Sequence, residues 1–538
     1  MGQAQRQTAR RTTRRRGRRS GWWRLLPLAL VLLVMGGSLA AASPSFTDWS
    51  RAGYGIYNLR WQPFEQQLGT ATVANLQPKW VFTAGGDISA TPAVADGAVY
   101  FPDWDGNFFK LDAETGQVIW SHRVSEYGGS PSSNSRTSPV VANGIVYIAQ
   151  HRPANVLALD VATGKLLWRT NIERHPAVQL TASPIVFNNV LYIGTSSFEE
   201  TFAGLPGYNC CTFRGSMLAL DARTGAKLWQ TYLAPDNGGV GGSYSGVPVW
   251  SSTPVVDPLR NSLYVTTGNN YSVPQSCIDD PSACAKDNYF DAIVALDLRT
   301  GAVKWSTGAE KLDAWNFACV EGKLLKVKTK NCPAADSPDW DFGAGANLIT
   351  TVINGHLRQI VGAGQKSGVY WALDPDTGAV LWATPVGPPG IIGGIQWGTA
   401  SDNQRIYVSI TNSSHTPYQV NGQTVTGGSW SALDPATGAI LWQTPDPLGG
   451  IDQAPVTVAN GVVYGASADA EGHMYALDAV SGKILWSFAS GGSVGGGAAI
   501  ADGTVYWGSG YSVWPNFGMT GNDKFYAFSV PGAQIQAP

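Results

Sequence analysis

The chain has 538 residues, of which 64 are glycine, 32 proline and 21 tryptophan, and only 14% are charged. This length exceeds one ordinary compact core, and the composition favours short strands and tight turns over a helical bundle or a coiled coil. The formal charge of −2 hides nine arginines and no acid in residues 1–42, which leaves 27 basic against 38 acidic groups in the remainder. That net negative charge argues against a nucleic-acid binder.

The first predicted element is an export signal. An arginine-rich head, Arg10 to Arg19, precedes an uncharged run from Leu25 to Ala42 that ends in three alanines, a small-residue pattern typical of cleavage sites. An uncleaved membrane anchor is the alternative, because a run of this length nearly spans a bilayer. In both cases residues 43–538 are expected to lie outside the cytoplasm, in the periplasm or outside the cell.

One phrase, Leu-Asp-x-x-Thr/Ser-Gly-x-x-x-Trp, occurs seven times. Asp and Thr/Ser-Gly predict a turn between two strands, in which glycine supplies a positive φ and the aspartate side chain caps the turn. The tryptophan is expected to begin the next strand and to pack between neighbouring sheets. The copies are Asp112–Trp120, Asp160–Trp168, Asp221–Trp229, Asp297–Trp305, Asp374–Trp382, Asp434–Trp442 and Asp478–Trp486.

A second phrase, such as Thr91-Pro92-Ala-Val or Ser138-Pro139-Val-Val, predicts an inner strand ahead of these turns. Each unit then forms a four-stranded antiparallel sheet, and such repeats stack radially. An eighth unit lacks the phrase: residues 505–507 and 525–528 supply its strands, and residues 78–82 near the N-terminus complete it. We therefore predict an all-β, eight-bladed β-propeller over residues 43–538, its last blade closed by the N-terminal strand. A solenoid is the alternative.

Six cysteines outside the cytoplasm predict disulfides. They fall into three local pairs, and local pairing is the simplest connectivity. For the adjacent pair, two free or separately paired thiols are the alternative. The pairs are Cys210-Cys211, Cys277-Cys284 and Cys319-Cys332.

Six stretches outside the repeat carry a more specific signal. In order they are Trp49…Tyr54-Gly55…Asn58-Leu-Arg60, Cys210-Cys211-Thr-Phe-Arg214-Gly-Ser, Thr267-Gly268-Asn269-Asn270-Tyr, Asp313-Ala-Trp-Asn316-Phe-Ala-Cys319, Asp341-Phe342-Gly343 and Gln365-Lys366-Ser-Gly. With the repeat, this set resembles the quinoprotein alcohol dehydrogenases, which use pyrroloquinoline quinone (PQQ), and within them the polyvinyl alcohol dehydrogenase-like branch. The resemblance covers about residues 49–530.

The resemblance implies a Ca²⁺ ion beside PQQ, held by Glu199, Asn269 and Asp313. Oxygen ligands of this type suit that hard ion. Lys366 matches the basic residue that contacts the reactive quinone oxygens. Its charge would stabilise the reduced, anionic cofactor.

The resemblance also implies how PQQ is enclosed. Arg136 and Thr181 match positions that contact its carboxylates, and Trp250 matches, with a one-residue offset, a tryptophan that stacks under the ring. A disulfide between Cys210 and Cys211 would cover the other face of the ring.

One departure from the family pattern concerns the catalytic base. Family enzymes have Trp-Asp, whose aspartate is the base, where this chain has Trp315-Asn316. Because an amide cannot abstract a proton at neutral pH, Asp313 is the predicted base. Asn316 is left to orient the substrate or to bind the metal.

These features predict an exported dehydrogenase that oxidises alcohols, secondary or polymeric ones among them, by hydride transfer to Ca²⁺-bound PQQ. Electrons pass to an external acceptor such as a cytochrome c, because the sequence has no Cys-x-x-Cys-His for a haem. Two other functions stay open: a non-enzymatic scaffold of the outer-membrane assembly type, and a PQQ-binding sensor. Membrane contact is expected only through residues 25–42, if they stay uncleaved.

Overall fold

The repeats fold into eight four-stranded antiparallel sheets in a computed structural model, which describes residues 47–251, 253–320, 331–333 and 337–532. The predicted signal or anchor at residues 1–42 lies outside the described residues. The sheets form an eight-bladed β-propeller, as predicted. From the inner to the outer strand, the first four blades are Ala93–Ala95, Ala98–Pro102, Asn107–Asp112 and Val118–Arg123; Val140–Ala142, Ile145–Ala149, Asn155–Asp160 and Leu166–Asn171; Ile185–Phe187, Val190–Gly194, Ser216–Asp221 and Lys227–Tyr232; and Val255–Asp257, Ser262–Thr266, Ala292–Asp297 and Val303–Gly308.

The remaining blades repeat this order, with the eighth taking its outer strand from the N-terminal part of the chain. They are Asn347–Ile353, His356–Gly364, Val369–Leu373 and Val380–Pro385; Ala400–Ser401, Ile406–Ile410, Ser429–Leu433 and Ile440–Pro445; Thr457–Ala459, Val462–Ala466, His473–Asp478 and Ile484–Ala489; and Ala499–Ala501, Thr504–Gly508, Lys524–Ser529 and Gln77–Thr83.

Short elements in the loops complete the described secondary structure. The helices are Glu199–Phe202 and Gln275–Asp279, with 3₁₀ turns at Val73–Asn75, Val124–Tyr127, Pro281–Ala283 and Pro515–Phe517. The additional strands are Val178–Gln179 with Ser196–Ser197, Ser245–Gly246 with Asn270–Ser272, Tyr418–Val420 with Gln423–Val425, and Trp61–Gln62, which runs parallel to the inner strand of the seventh blade. Within the part of the chain that the structure describes, no helix is long and apolar enough to cross a membrane.

The repeated phrase is the joint between neighbouring blades, as the copy at Asp297 shows. Oδ1 of Asp297 accepts hydrogen bonds from the backbone N–H of Thr300 at 2.9 Å and from its hydroxyl at 3.0 Å. Gly301 comes next in the chain and has a φ of +71°. The indole ring of Trp229, from the preceding blade, packs against it. A Cβ at this glycine would lie 2.5 Å from Cε3 of that ring, so only glycine fits both the backbone and the packing.

The same tryptophans also form hydrogen bonds across the joints. Trp229 Nε1 donates to the carbonyl of Leu298 in the next blade at 3.2 Å. Since the indole N–H is paired and the ring is packed on a glycine, each joint satisfies both parts of the side chain. The equivalent bonds start from Trp80, Trp120, Trp168, Trp305, Trp382, Trp442 and Trp486.

Both chain ends meet in the eighth blade and close the ring. Gln77–Thr83 pairs antiparallel with Lys524–Ser529, which places Phe82 opposite Phe525. Trp80 donates its indole N–H to Ala113 of the first blade at 3.1 Å. The predicted closure by the N-terminal strand is therefore confirmed, and neither end of the sheet array is left unpaired.

Candidate active site

A cavity of about 370 Å³ opens where loops from several blades converge. These loops follow the second strands or precede the inner strands of the blades. The strands therefore fix the positions of the side chains that line the cavity. Arg136, Thr181, Trp250 and Lys366 line the cavity, so four residues predicted to bind the cofactor meet at one site. Seven further aromatic side chains line the cavity: Trp104, Phe198, Trp315, Phe317, Trp397, Tyr511 and Trp514.

The polar centre of the cavity is a buried lysine between two aspartates. Lys366 Nζ lies 2.9 Å from Asp339 Oδ1 and 3.1 Å from Asp341 Oδ2. Burial lowers the pKa of Lys366, but the two carboxylates outweigh it and hold that pKa above its ordinary value. The ammonium therefore stays charged, and it lies 5.3 Å from the ring centroid of Trp250.

Asp341 is the carboxylate that joins this lysine to the predicted metal ligand Asn269. Its Oδ1 accepts the backbone N–H of Asn269 at 2.6 Å. The side-chain N–H of Asn269 donates to the carbonyls of Asn270 and Trp315, whereas its Oδ1 is buried and has no hydrogen-bond partner. A free amide oxygen beside a carboxylate is an arrangement that a hard cation completes.

The predicted base Asp313 is not among the residues that line the cavity. Its carboxylate accepts the backbone N–H of Trp340 at 2.7 Å and that of Asp339 at 3.3 Å. Burial raises the pKa of Asp313 to about 6, although the N–H of Trp340 acts in the opposite direction. Asp313 therefore braces the segment that carries Asp341, and Trp340-Asp341 supplies the Trp-Asp pair that Trp315-Asn316 lacks.

Glu199 and Glu200 take different sides of one short helix. Glu199 is buried, and its carboxylate accepts the backbone N–H groups of Thr212 and Phe213 at 2.8 and 2.6 Å. Glu200 lines the cavity, where burial raises its pKa to about 8 and Asp341 adds to the rise. The geometry thus favours Glu200 over Glu199 as a ligand in the cavity.

The vicinal cysteines lie behind the cavity wall. The structure forms all three predicted disulfides, Cys210–Cys211 among them. Neither Cys210 nor Cys211 lines the cavity; both pack in a core cluster with Phe213. That this disulfide covers one face of the cofactor stays a prediction.

Asn316 is a structural residue in this wall. Its side-chain N–H donates to the carbonyl of Tyr271 at 2.9 Å and to that of Asn331 at 2.7 Å. Its Oδ1 accepts the backbone N–H of Ala318 at 3.0 Å. With both ends of the amide used and the side chain fully buried, Asn316 holds two loops together and does not face the cavity.

The aromatic side chains shape a slot that suits a flat ring system. Trp250 and Trp397 meet edge to face at 5.2 Å, and the Nε1 atoms of both are buried without a hydrogen-bond partner. Arg136 lies 4.8 Å from the centroid of Trp397 and donates to the hydroxyl of Tyr511 at 3.2 Å. Flat walls, two free indole N–H groups and an arginine fit a planar carboxylated ligand such as PQQ.

The charge balance of the site also fits a bound cation. Three acidic side chains act electrostatically on the ammonium of Lys366, namely Glu200, Asp339 and Asp341. Asp291 and Asp313 lie within electrostatic reach of Asp341. Burial raises the pKa values of Asp291 and Asp339 well above their ordinary range. Buried carboxylates in such excess need a cation or protons. Among the described residues no group of three or more His, Cys, Asp or Glu side chains is arranged to hold a metal.

Three residues were missed as site residues by the sequence analysis. Asp341 was noted only as part of a motif, although its Trp-Asp signal is present in the sequence. Glu200 was passed over for its neighbour, and no local pattern distinguishes two adjacent glutamates on a short helix. Asp339 carries no separate signal, because only the fold brings it to Lys366.

Two family models match the chain. The model described as "Outer membrane protein assembly factor BamB" matches residues 74–205 and 365–510. The model described as "Glucose/ethanol/alcohol dehydrogenase, beta-propeller domain" matches residues 171–331. The first match covers repeats on both sides of the long insertions, and the second includes Glu200 and Asn269.

Curated relatives match over most of the chain. A polyvinylalcohol dehydrogenase from Pseudomonas sp. is 32% identical over 86% of this chain and 73% of its own length. One from Sphingopyxis sp. is 32% identical over 83% and 70%, respectively. The solved structure of quinohemoprotein alcohol dehydrogenase from Comamonas testosteroni has a TM-score of 0.67 at 20% identity, covering 91% of this chain and 82% of its own; that likeness concerns the fold.

Proposed function

The chain belongs to the quinoprotein alcohol dehydrogenases, in the branch of the polyvinyl alcohol dehydrogenases, and we propose that it oxidises alcohols with PQQ and Ca²⁺ in its cavity. The observation that carries the proposal is the contact of Lys366 with Asp341 inside an aromatic slot. A carboxylate and an ammonium at one buried point provide a proton acceptor and a fixed positive charge.

The residues that would hold PQQ are those of the slot. Trp250 offers a flat face, Arg136 offers a guanidinium for a carboxylate, and Lys366 offers an ammonium for the quinone oxygens. When bound, PQQ supplies the carbonyl that takes up hydride from the alcohol carbon. Thr181 donates its hydroxyl to the carbonyl of Trp250 at 2.6 Å, which fixes the loop that carries the indole.

Asp341 acts as the base in this proposal. Its Oδ2 takes the hydroxyl proton of the alcohol, while the N–H of Asn269 holds its Oδ1 in place. Lys366 keeps the carboxylate oriented, and a second aspartate, Asp339, keeps the lysine charged. A base held on two sides loses little freedom when the substrate binds, which favours a productive geometry.

Ca²⁺ would be held by Glu200, Asn269 and Asp341. The free Oδ1 of Asn269 and the excess of buried acids support this set over the predicted trio with Glu199 and Asp313. A cation here would polarise a bound carbonyl as a Lewis acid and offset the negative charge. It would also keep Glu200 ionised, since its pKa is otherwise raised to about 8.

The substrate class, location and electron acceptor extend the same proposal. The relatives named polyvinylalcohol dehydrogenases make polymeric and secondary alcohols the first substrates to test. The predicted signal at residues 1–42 places the reaction outside the cytoplasm, in the periplasm or beyond. Electrons would leave to an external acceptor such as a cytochrome c, because the chain lacks its own haem-attachment motif.

Dye-linked turnover tests the function directly. Residues 43–538, supplied with PQQ and Ca²⁺, are assayed for reduction of an artificial electron acceptor with primary, secondary and polymeric alcohols. We expect reduction that depends on alcohol, PQQ and Ca²⁺ together. If PQQ binds but no alcohol is oxidised, a PQQ-binding sensor becomes the better interpretation. If PQQ does not bind, a non-enzymatic scaffold becomes the better interpretation.

A further inference from the structure

A second cluster of buried oxygens lies between the sixth and seventh blades, outside the residues that line the cavity. Asp446 follows the outer strand of the sixth blade, and Asp452 precedes the inner strand of the seventh. Their exposures are 5% and 0%. Neither carboxylate is paired with a lysine, arginine or histidine among the described residues.

The carboxylate of Asp452 has no hydrogen-bond partner at either oxygen, and Oδ2 of Asp446 also has none. Among the described residues, Asp291 is the other aspartate whose buried carboxylate oxygens have no hydrogen-bond partner. Asp87, for comparison, accepts the N–H and hydroxyl of Ser512, each at 2.6 Å, and the N–H of Asn522 at 2.9 Å. A buried carboxylate without donors or a counter-ion takes up a proton or binds a cation.

Neutral oxygens beside the two aspartates are unpartnered as well. The hydroxyls of Tyr418, Ser429 and Tyr475 are buried and have no hydrogen-bond partner. Tyr418 lies in the electrostatic reach of Asp452, and Tyr475 in that of Asp446 and Asp452. Hydroxyls could each donate to a carboxylate, yet they do not. Carboxylate and hydroxyl oxygens that gather without hydrogen bonds are an arrangement that a hard cation can fill.

The backbone keeps this space open. A Cβ at Gly428 would lie 2.7 Å from Asp452 Oδ2, and one at Gly450 would lie 3.3 Å from Asp446 Oδ2. The N–H of Gly428 donates to the carbonyl of Gly450 at 2.7 Å, and the N–H of Asp446 donates to the carbonyl of Gly428 at 3.0 Å. The loop at residues 446–456, which carries both carboxylates, is thus held against the backbone of Gly428.

We propose that Asp446 and Asp452 bind a structural Ca²⁺ ion between the sixth and seventh blades. Two carboxylates balance the charge of a divalent ion, and the hydroxyls complete an oxygen shell. The ion also stiffens the cavity wall, because Ile451, next to Asp452, packs in one apolar cluster with Ile392 and Tyr511, which both line the cavity.

The test counts Ca²⁺ ions in single and double variants of residues 43–538. After removal of Ca²⁺ with a chelator, each protein is dialysed against micromolar Ca²⁺ without PQQ, and bound calcium is measured by mass spectrometry. The variant Asp341→Asn weakens the cofactor site and should retain about one ion per chain, whereas Asp341→Asn combined with Asp452→Asn should retain none. The matched control combines Asp341→Asn with Asp87→Asn, and this double variant should keep the ion.

Terbium luminescence keeps the proposal testable if a variant folds poorly. Tb³⁺ has the same preference for oxygen ligands as Ca²⁺. The ring centroid of Trp430 lies 5.0 Å from that of Tyr475, so this tryptophan can sensitise the luminescence of an ion in the cluster. In the otherwise unchanged chain, Asp446→Asn should lower the affinity for Tb³⁺ about tenfold or more. Unchanged calcium content and unchanged Tb³⁺ luminescence in the Asp452 and Asp446 variants would overturn the proposal.

Discussion

Replacing Asp341 by asparagine separates its chemistry from its structural contacts. The amide oxygen of Asp341→Asn can still accept the N–H of Asn269, which lies 2.6 Å from Oδ1 in the native chain. Lys366 keeps its 2.9 Å contact with Asp339. The fold should therefore survive, while proton abstraction is lost. Loss of a general base costs about 10² to 10⁴ in rate, or about 3 to 5 kcal/mol in the barrier.

The assay compares kcat, KM and PQQ affinity for Asp341→Asn and for Asp313→Asn. The first variant should lose about 10²-fold or more in kcat and still bind PQQ. The second should lose far less, because Asp313 accepts backbone N–H groups outside the cavity. If Asp341→Asn stays within about threefold of the native kcat and Asp313→Asn abolishes turnover, then the base is Asp313 and our geometric reasoning is wrong.

Three further substitutions test the cofactor slot, the titration of a buried histidine and the blade joints. Trp250→Ala should raise the Kd for PQQ by about tenfold or more, measured by fluorescence titration, because a stacking face is lost; an unchanged Kd would remove Trp250 from the site. Burial, with a contribution from Arg136, lowers the pKa of His151 from 6.5 to about 4. The native chain should therefore lose up to about 3 kcal/mol of stability as the pH falls from 6.5 to 4, since the unfolded chain binds the extra proton. Urea midpoints across this range should show a flatter profile for His151→Gln, and equal profiles would contradict the assignment. Gly301→Ala should lower the free energy of unfolding by about 3 kcal/mol, whereas Gly355→Ala should cost only about 1 to 2 kcal/mol. Both glycines have positive φ, but only Gly301 carries a tryptophan ring; equal urea midpoints for these two variants would argue against the joint.

The fold was predictable because each copy of the repeat encodes a complete physical unit. The aspartate at 297, for example, caps its turn, the following glycine accepts the backbone bend, and a tryptophan of the neighbouring blade covers it. Since all three features are visible in the sequence, seven of the eight blades could be predicted from them. Closure was predictable for a related reason: the strand at Gln77–Thr83 has no partner except the C-terminal strands.

The candidate site was only partly predictable. Arg136 and Thr181 precede inner strands and Lys366 follows a second strand, so their positions in the repeat already place them at one end of the ring. The choice between Asp313 and Asp341 was not available in the same way. Both acids stand beside a tryptophan motif in irregular loops, and only tertiary packing decides which one reaches Lys366.

The cluster at Asp446 and Asp452 illustrates the same limit. Neither aspartate belongs to a motif, although both lie in the one connection between the sixth and seventh blades. What singles them out is that two buried carboxylates share this loop and three of their oxygens have no hydrogen-bond partner. That property depends on every neighbour in space, and sequence spacing carries no information about it.

An equilibrium titration of PQQ tests the central claim most directly. Purified residues 43–538, freed of metal and cofactor, are titrated with PQQ in the presence and absence of Ca²⁺, and the absorbance of the bound quinone and the tryptophan fluorescence are recorded. We predict saturation at about one PQQ per chain in the presence of Ca²⁺, with affinity lost when a chelator replaces the ion. Absence of PQQ binding under both conditions would contradict the account.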